Sequence, residues 1–122
     1  MNNTRDIILR FIKIRQAVLL SERKDMSNDN VQKLRDFILE NRRQIPPFAL
    51  AHFDRLEASG KSGIAEIENG RCCCCGTKIS DEELKYLKDA KSIGVCDNCY
   101  AFIYNPSEEC NVSKFFEDFL KD

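Results

Sequence analysis

Four of the seven cysteines have the spacing of metal ligands. Cys72 and Cys75 form one C-x2-C pair and Cys96 and Cys99 a second, separated by a 20-residue insert. A two-residue gap lets both thiolates of a pair reach one ion, so two pairs complete a tetrahedral shell around Zn2+. Four thiolates leave no coordination position for water or substrate. The chemistry expected is therefore structural: one Zn2+ that folds a small lobe and catalyses nothing. Cys73 and Cys74 lie between ligands without the x2 spacing. They are expected to point away from the ion as small, partly buried side chains; the alternative is a redox role, in which either swaps into the shell or oxidises beside it. Cys110 pairs with nothing by spacing.

Short elements must hold the two pairs. Within the insert, Ser80-Asp81-Glu82-Glu83 carries the capping-box signature of a helix start. Lys85, Lys88 and Lys91 follow toward the end that favours cations, and Leu84 and Leu87 share one face. Gly94 supplies a turn out of the helix, and Ser92 to Val95 leads as an extended stretch into Cys96. Before the first pair, Ile64-Ala65-Glu66-Ile67-Glu68 alternates as a strand; after the second, Tyr100 to Tyr104 is β-prone and ends at Asn105-Pro106. This arrangement predicts a zinc ribbon.

The preceding residues read as a helical arm. Between Arg5 and Lys24, Ile7, Phe11, Ile14 and Val18 fall on the helical period, widened by Ile8, Ile12 and Leu19. After the polar stretch Asp25 to Asn30, Val31, Leu34, Phe37, Ile38 and Ile45 give a second stripe. Two such helices fold back as an antiparallel hairpin, roughly 30 Å long at 1.5 Å per residue. Pro46-Pro47 ends the second helix and starts a third, from Phe48 to about Ala58. Residues 59–63 form a joint, and Val112, Phe115, Phe116 and Phe119 mark a short terminal helix whose aromatic face packs on the arm or the ribbon. The fold class expected is mainly α with a small zinc-ribbon lobe: arm 1–60, ribbon 61–106, helical tail 107–122.

Composition removes several function classes. The apolar run from Ile7 to Leu20 is interrupted by Arg10, Lys13 and Arg15, so it reads as neither signal peptide nor membrane span. An odd cysteine count, metal-type pairs and no leader peptide point to a reducing cytoplasm. His52 is the only histidine and stands in an apolar stretch with no nucleophile motif beside it; no paired carboxylates, phosphate loop or cofactor loop occurs, so no enzyme is expected. Residues 1–60 hold 11 Lys/Arg against 8 Asp/Glu, and residues 61–122 hold 8 against 12. An acidic lobe carrying a four-thiolate centre repels phosphate, so nucleic acid, if bound, would use the arm through Arg10, Lys13, Arg42 and Arg43.

Ile45-Pro46-Pro47, Phe53-Asp54-Arg55-Leu56, Gly63-Ile64-Ala65 and Asn69-Gly70-Arg71-Cys72, followed by Cys75, Cys96-Asp97-Asn98-Cys99 and Ile103-Tyr104, resemble the bacterial C4-type zinc-ribbon family. That resemblance implies an N-terminal coiled-coil hairpin, a C-terminal zinc ribbon, and roles in flagellar assembly or nucleic-acid-binding regulation. It carries over Cys72, Cys75, Cys96 and Cys99 as ligands. The arm is shorter than that family's, Tyr100 stands where a glycine commonly follows the last cysteine, and an extra tail carries Cys110. A second resemblance, to the DksA/TraR type, implies an RNA polymerase-binding factor with acidic residues at the hairpin tip, here Asp25 and Asp29; both are also good turn formers. The function expected is a non-enzymatic adaptor or regulator that binds a protein partner through its arm, in transcription or assembly. Nucleic-acid binding is the alternative, and a short hairpin of this kind also admits a homodimer.

Overall fold

The apolar periodicity of the first sixty positions becomes three helices in the computed structural model, which describes residues 4–87, 93–106 and 110–121. They are α1 (Thr4–Ser21), α2 (Asn28–Arg43) and α3 (Pro47–Ala58). Ser27 caps α2, its hydroxyl accepting from the Asn30 N–H at 3.2 Å. Helix α2 folds back antiparallel to α1, and at the far end of the seam Arg10 donates to Asn41 Oδ1 at 2.8 Å while the Asn41 amide donates to the Phe37 carbonyl.

The buried row of α1 is Ile8, Phe11, Ile14 and Ala17, and Val18 and Leu19, expected in the stripe, are exposed. Ala17 shares a core with Leu34 of α2. The smallest side chain on that face permits the closest helix approach, so the seam follows Ala17 rather than its bulkier neighbour. Pro46 is the N-cap of α3 and Pro47 its first residue, where a missing N–H leaves no helical bond unmade. Arg42 grips Asp54 with two bonds, 2.9 and 2.7 Å, and fixes the bend between α2 and α3.

Four short strands follow: β1 (Ile64–Glu68), β2 (Arg71–Cys72), β3 (Gly94–Val95) and β4 (Phe102–Tyr104). Their order is β2-β1-β4-β3, with β1 and β4 parallel and both edge pairs antiparallel. This corrects the expected ribbon, because the structure forms one small sheet around a central parallel pair instead of a clearly separate C-terminal ribbon hairpin. The physical reason is the long insert, which contains α4 (Asp81–Leu87): a parallel pair needs a crossover of about a dozen residues or more, and the insert provides it. Asn69 and Gly70, both at positive φ, close the β1–β2 hairpin as a two-residue turn. Ser80 Oγ accepts from the Glu83 N–H at 3.2 Å and starts α4 as the capping signature anticipates. Lys88, Lys91, Ser92 and residues 107–109 lie outside the described residues.

The sheet separates two cores. Ile64, Phe102 and Tyr104 face the helices and pack with Ile8, Phe11, Ile14, Ile45, Ala49 and Phe53. Ala65, Ile67 and Ile103 face the other way, toward Ile79, Leu87, Ala101 and three cysteines. Strand alternation sends neighbouring residues of β4 into different cores. Residues 59–63 are tied to the helices on both sides: Arg15 donates to Ser62 Oγ and Glu57, and the Gly63 N–H donates to Glu57 at 2.7 Å. The terminal helix α5 (Ser113–Phe119) packs on the arm, where Phe37 meets Phe115, Phe116 and Phe119 at centroid distances of 5.2–5.6 Å. Among the described residues no helix is long and apolar enough to cross a membrane.

Candidate metal centre

Two turns of the same design bring the sulfurs together. In the first, the Cys72 N–H donates to the Thr77 carbonyl and the Gly76 N–H to the Cys72 carbonyl; in the second, the Cys96 N–H donates to the Ala101 carbonyl and the Tyr100 N–H to the Cys96 carbonyl. Each turn needs a left-handed residue after its second cysteine, and Gly76 (φ 79°) and Tyr100 (φ 66°) fill that position. His52 supports the costlier of the two. Its Nε2 lies 2.6 Å from the Tyr100 carbonyl, which requires the proton on that nitrogen, and its ring leans on Phe102. The lone histidine of the chain is thus placed as a brace for the second turn.

The four sulfurs of Cys72, Cys75, Cys96 and Cys99 all lie within 4.8 Å of one another and could hold a metal ion. Cys72 Sγ is 3.7 Å from Cys99 Sγ, and Cys75 Sγ is 3.5 Å from Cys96 Sγ. A tetrahedral ion with metal–sulfur bonds of about 2.3 Å holds its ligands about 3.8 Å apart, so the cage has the right size. Cys72 and Cys96 are 1% exposed, Cys99 is buried and Cys75 is half-buried. A fully thiolate, enclosed donor set fits a closed site that gives substrate no entry.

The thiols differ in how readily they ionise. Cys75 is drawn down to about 5, chiefly by its hydrogen bonds with the Thr77 and Asn98 side chains. Burial pushes Cys99 strongly upward, against an opposing bond from the Ala101 N–H, and burial likewise raises Cys72 despite the N–H groups of Cys75 and Cys74. Thr77 and Asn98 carry no spacing signal and were not readable as participants; Gly76 was not singled out either, although a glycine just after a C-x2-C pair is a signal for the left-handed position.

The remaining candidates lie elsewhere. Cys73 and Cys74 are exposed rather than partly buried, because the turn that aims Cys72 and Cys75 inward aims the two between them out. The Cys73 thiol donates to Glu68 Oε2 at 3.4 Å and is pushed up to about 11, chiefly by loss of solvation and then by that bond and the charges of Glu66 and Glu68. Cys110 is half-buried against the helix-side core. Of the basic residues singled out on the arm, Arg10 bonds Asn41, Lys13 stands 4.4 Å over the Phe115 ring, Arg42 is held by Asp54 and Arg43 reaches Glu40. At the tip, Asp25 pairs with Arg23 and Asp29 sits in the first turn of α2.

No family model matches the chain, and no curated protein does. Among solved structures it is similar to the CT398 protein of Chlamydia trachomatis, at 16% identity and a TM-score of 0.53, over 65% of this chain and 34% of that one. A protein from Mycobacterium smegmatis matches at 18% identity and a TM-score of 0.45, over 75% of this chain and 38% of that one. The chain thus spans about a third of the length of the structures it resembles, and at this identity the likeness to the chlamydial protein is one of fold.

Proposed function

We propose that this protein is a non-enzymatic adaptor whose helical hairpin binds a protein partner and whose four-cysteine centre holds one structural Zn2+. The observation that carries the reading is the enclosed all-sulfur cage of Cys72, Cys75, Cys96 and Cys99, sized for a tetrahedral ion and closed to substrate. Thiolate softness and a tetrahedral arrangement select zinc over the oxygen-seeking divalent ions. A site of this kind contributes folding energy, so the working surface is sought elsewhere.

The arm supplies that surface. Leu19 on α1 is 53% exposed, Leu39 on α2 56%, and Phe48 at the start of α3 79%. Large apolar side chains left in water on the three helices suit a protein partner better than a phosphate backbone, and the four cations that nucleic acid would need are already engaged within the chain. A setting in transcription or assembly, in the cytoplasm, is the reading consistent with the resemblance to the C4-type zinc-ribbon family.

Two measurements test the proposal. Elemental analysis of protein purified without added metal is expected to give one zinc per chain, absent in Cys72→Ser/Cys96→Ser. Affinity purification from the source cell, with and without nuclease, is expected to retain a partner that a Leu19→Glu/Leu39→Glu variant loses. Loss of that partner on nuclease treatment would transfer the role to nucleic acid.

A further inference from the structure

A cavity of about 360 Å3, in the size range of small-molecule sites, lies between α1 and the central strands of the sheet. One wall is a single face of α1, where Ile12, Arg15, Gln16 and Leu19 recur at three- and four-residue spacing. The other carries Glu66 and Tyr104, register partners in the parallel β1–β4 pair that therefore stand side by side. Tyr104 is 7% exposed, yet its hydroxyl has no hydrogen-bond partner among the described residues. A buried tyrosine O–H ordinarily finds one. Burial pushes this hydroxyl's pKa upward, the charge of Glu66 adds to the rise and Arg15 opposes it, so the group stays protonated and lies among residues that line the cavity. Arg15 is committed on one side only. Its bonds to Glu57 and Ser62, 3.0 and 2.6 Å, both leave from Nη1. The Nε–Nη2 edge, whose parallel N–H groups match a carboxylate, has no partner among the described residues.

The charges decide the class of ligand. Glu57 already offsets Arg15 and Glu66 adds a negative charge, so phosphate or another lone anion is repelled. A lone amine would leave the Arg15 edge and the Tyr104 hydroxyl unmet. A zwitterion satisfies all three groups. We propose that this cavity binds a small aliphatic amino acid, its carboxylate held by Arg15 and the Tyr104 hydroxyl, its ammonium by Glu66, and its side chain against Ile12, Leu19 and Ile64. None of these residues belongs to the four-cysteine cage, so binding is separable from metal content.

The test is calorimetric titration of the full-length protein with L-leucine and with relatives that each lack one feature: N-acetyl-leucine the ammonium, leucinamide the carboxylate, glycine the aliphatic side chain. L-Leucine is expected to bind one equivalent per chain, and each relative at least about tenfold more weakly, the scale of a charged hydrogen bond or a buried aliphatic group. Tyr104→Phe removes only a hydroxyl that bonds nothing among the described residues, so it is expected to keep the wild-type urea midpoint and to weaken L-leucine about tenfold. Glu66→Gln is expected to abolish the preference for L-leucine over N-acetyl-leucine. No binding of L-leucine at millimolar concentration overturns the proposal, as does equal binding of any of the relatives by wild type or an unchanged affinity in Tyr104→Phe. Competition by inorganic phosphate would mark a simple anion site and overturn it as well.

Discussion

Adding one methyl group at Gly63 probes the joint between helices and sheet. A Cβ there would lie 2.4, 2.8 and 2.9 Å from Cδ2, Cε2 and Cγ of Phe53, where ordinary contact begins at 3.4 Å. Relief requires the ring to retreat by roughly 1 Å, given carbon–carbon optima of about 3.5–4.0 Å. The ring has nowhere to go: Phe53 is 4% exposed, stacks on Phe11 at 4.7 Å, and Phe11 stacks on Phe102 at 5.5 Å. Retreat of the backbone is opposed by the bond from the Phe102 N–H to the Gly63 carbonyl, 3.0 Å, which opens the parallel pair. Gly63 does not have a positive φ, so alanine incurs no backbone strain and gains about 0.4–1 kcal/mol by restricting the unfolded chain. Overpacking costs about 1–3 kcal/mol, so Gly63→Ala is expected to destabilise by about 1–2 kcal/mol net. At roughly 3–5 °C per kcal/mol for a chain of this size, Tm falls by about 3–10 °C. Urea unfolding of the metal-loaded protein measures it. The decisive control is the Phe53→Leu background, which removes the ring: there Gly63→Ala should cost under about 0.5 kcal/mol, a coupling near 1 kcal/mol. A neutral Gly63→Ala, or strict additivity of the two changes, refutes the steric argument.

Other expectations follow from the same geometry. Zn2+ binding at pH 7 should displace protons from Cys72 and Cys99 but none from Cys75, since Cys75 is already ionised well above about 5; calorimetry in buffers of different ionisation enthalpy should show proton release reduced in Cys72→Ser and unchanged in Cys75→Ser. In the metal-free protein the signs oppose one another. The depressed Cys75 adds stability that is lost as pH falls through about 5, whereas the raised Cys72 and Cys99 add stability that is lost as pH climbs past the ordinary thiol value, so urea midpoints should fall toward both extremes. Gly76→Ala meets nothing within 4 Å yet should destabilise the loaded protein by about 1–2 kcal/mol through its φ of 79°, measurable as a shifted urea midpoint. Ser27→Ala, which deletes the α2 cap, should cost about 1 kcal/mol in the same assay and leave zinc content unchanged.

Local signals were the legible ones. The pairs Cys72/Cys75 and Cys96/Cys99 announced their convergence by spacing, Ser80 and Glu83 announced a helix start, and Pro46-Pro47 announced the bend, because each acts within a few residues of chain. The β1–β2 hairpin went unread, although Asn69-Gly70, a dipeptide suited to two consecutive positive φ values, carries its signal. The parallel pairing of Ile64 with Phe102 was not legible. It joins residues 38 positions apart, and an alternating strand carries no label naming its partner. Nor was the exposure of Val18 legible, since periodicity defines a stripe about 100° wide but the packing of Ala17 on α2 chooses its centre. Thr77 and Asn98 become participants only once a turn has placed them beside a sulfur.

The shared sheet would couple an ion held by the four cysteines to a surface it never touches. Phe102 and Ile103 are adjacent in β4, yet the first packs with Phe11 and Phe53 and the second with the cysteine turns. Loosening the cysteine turns therefore removes the support behind β4, and the same strand carries part of the floor on which α1 and α3 rest. The brace from His52 to the Tyr100 carbonyl crosses in the same direction, from helix α3 to the second cysteine turn. Close-packed interiors transmit such strain because their side chains have few alternative arrangements. The four-cysteine cluster and the exposed Phe48 of α3 are thus linked through contacts that can be named one by one, and the link runs through a three-residue strand.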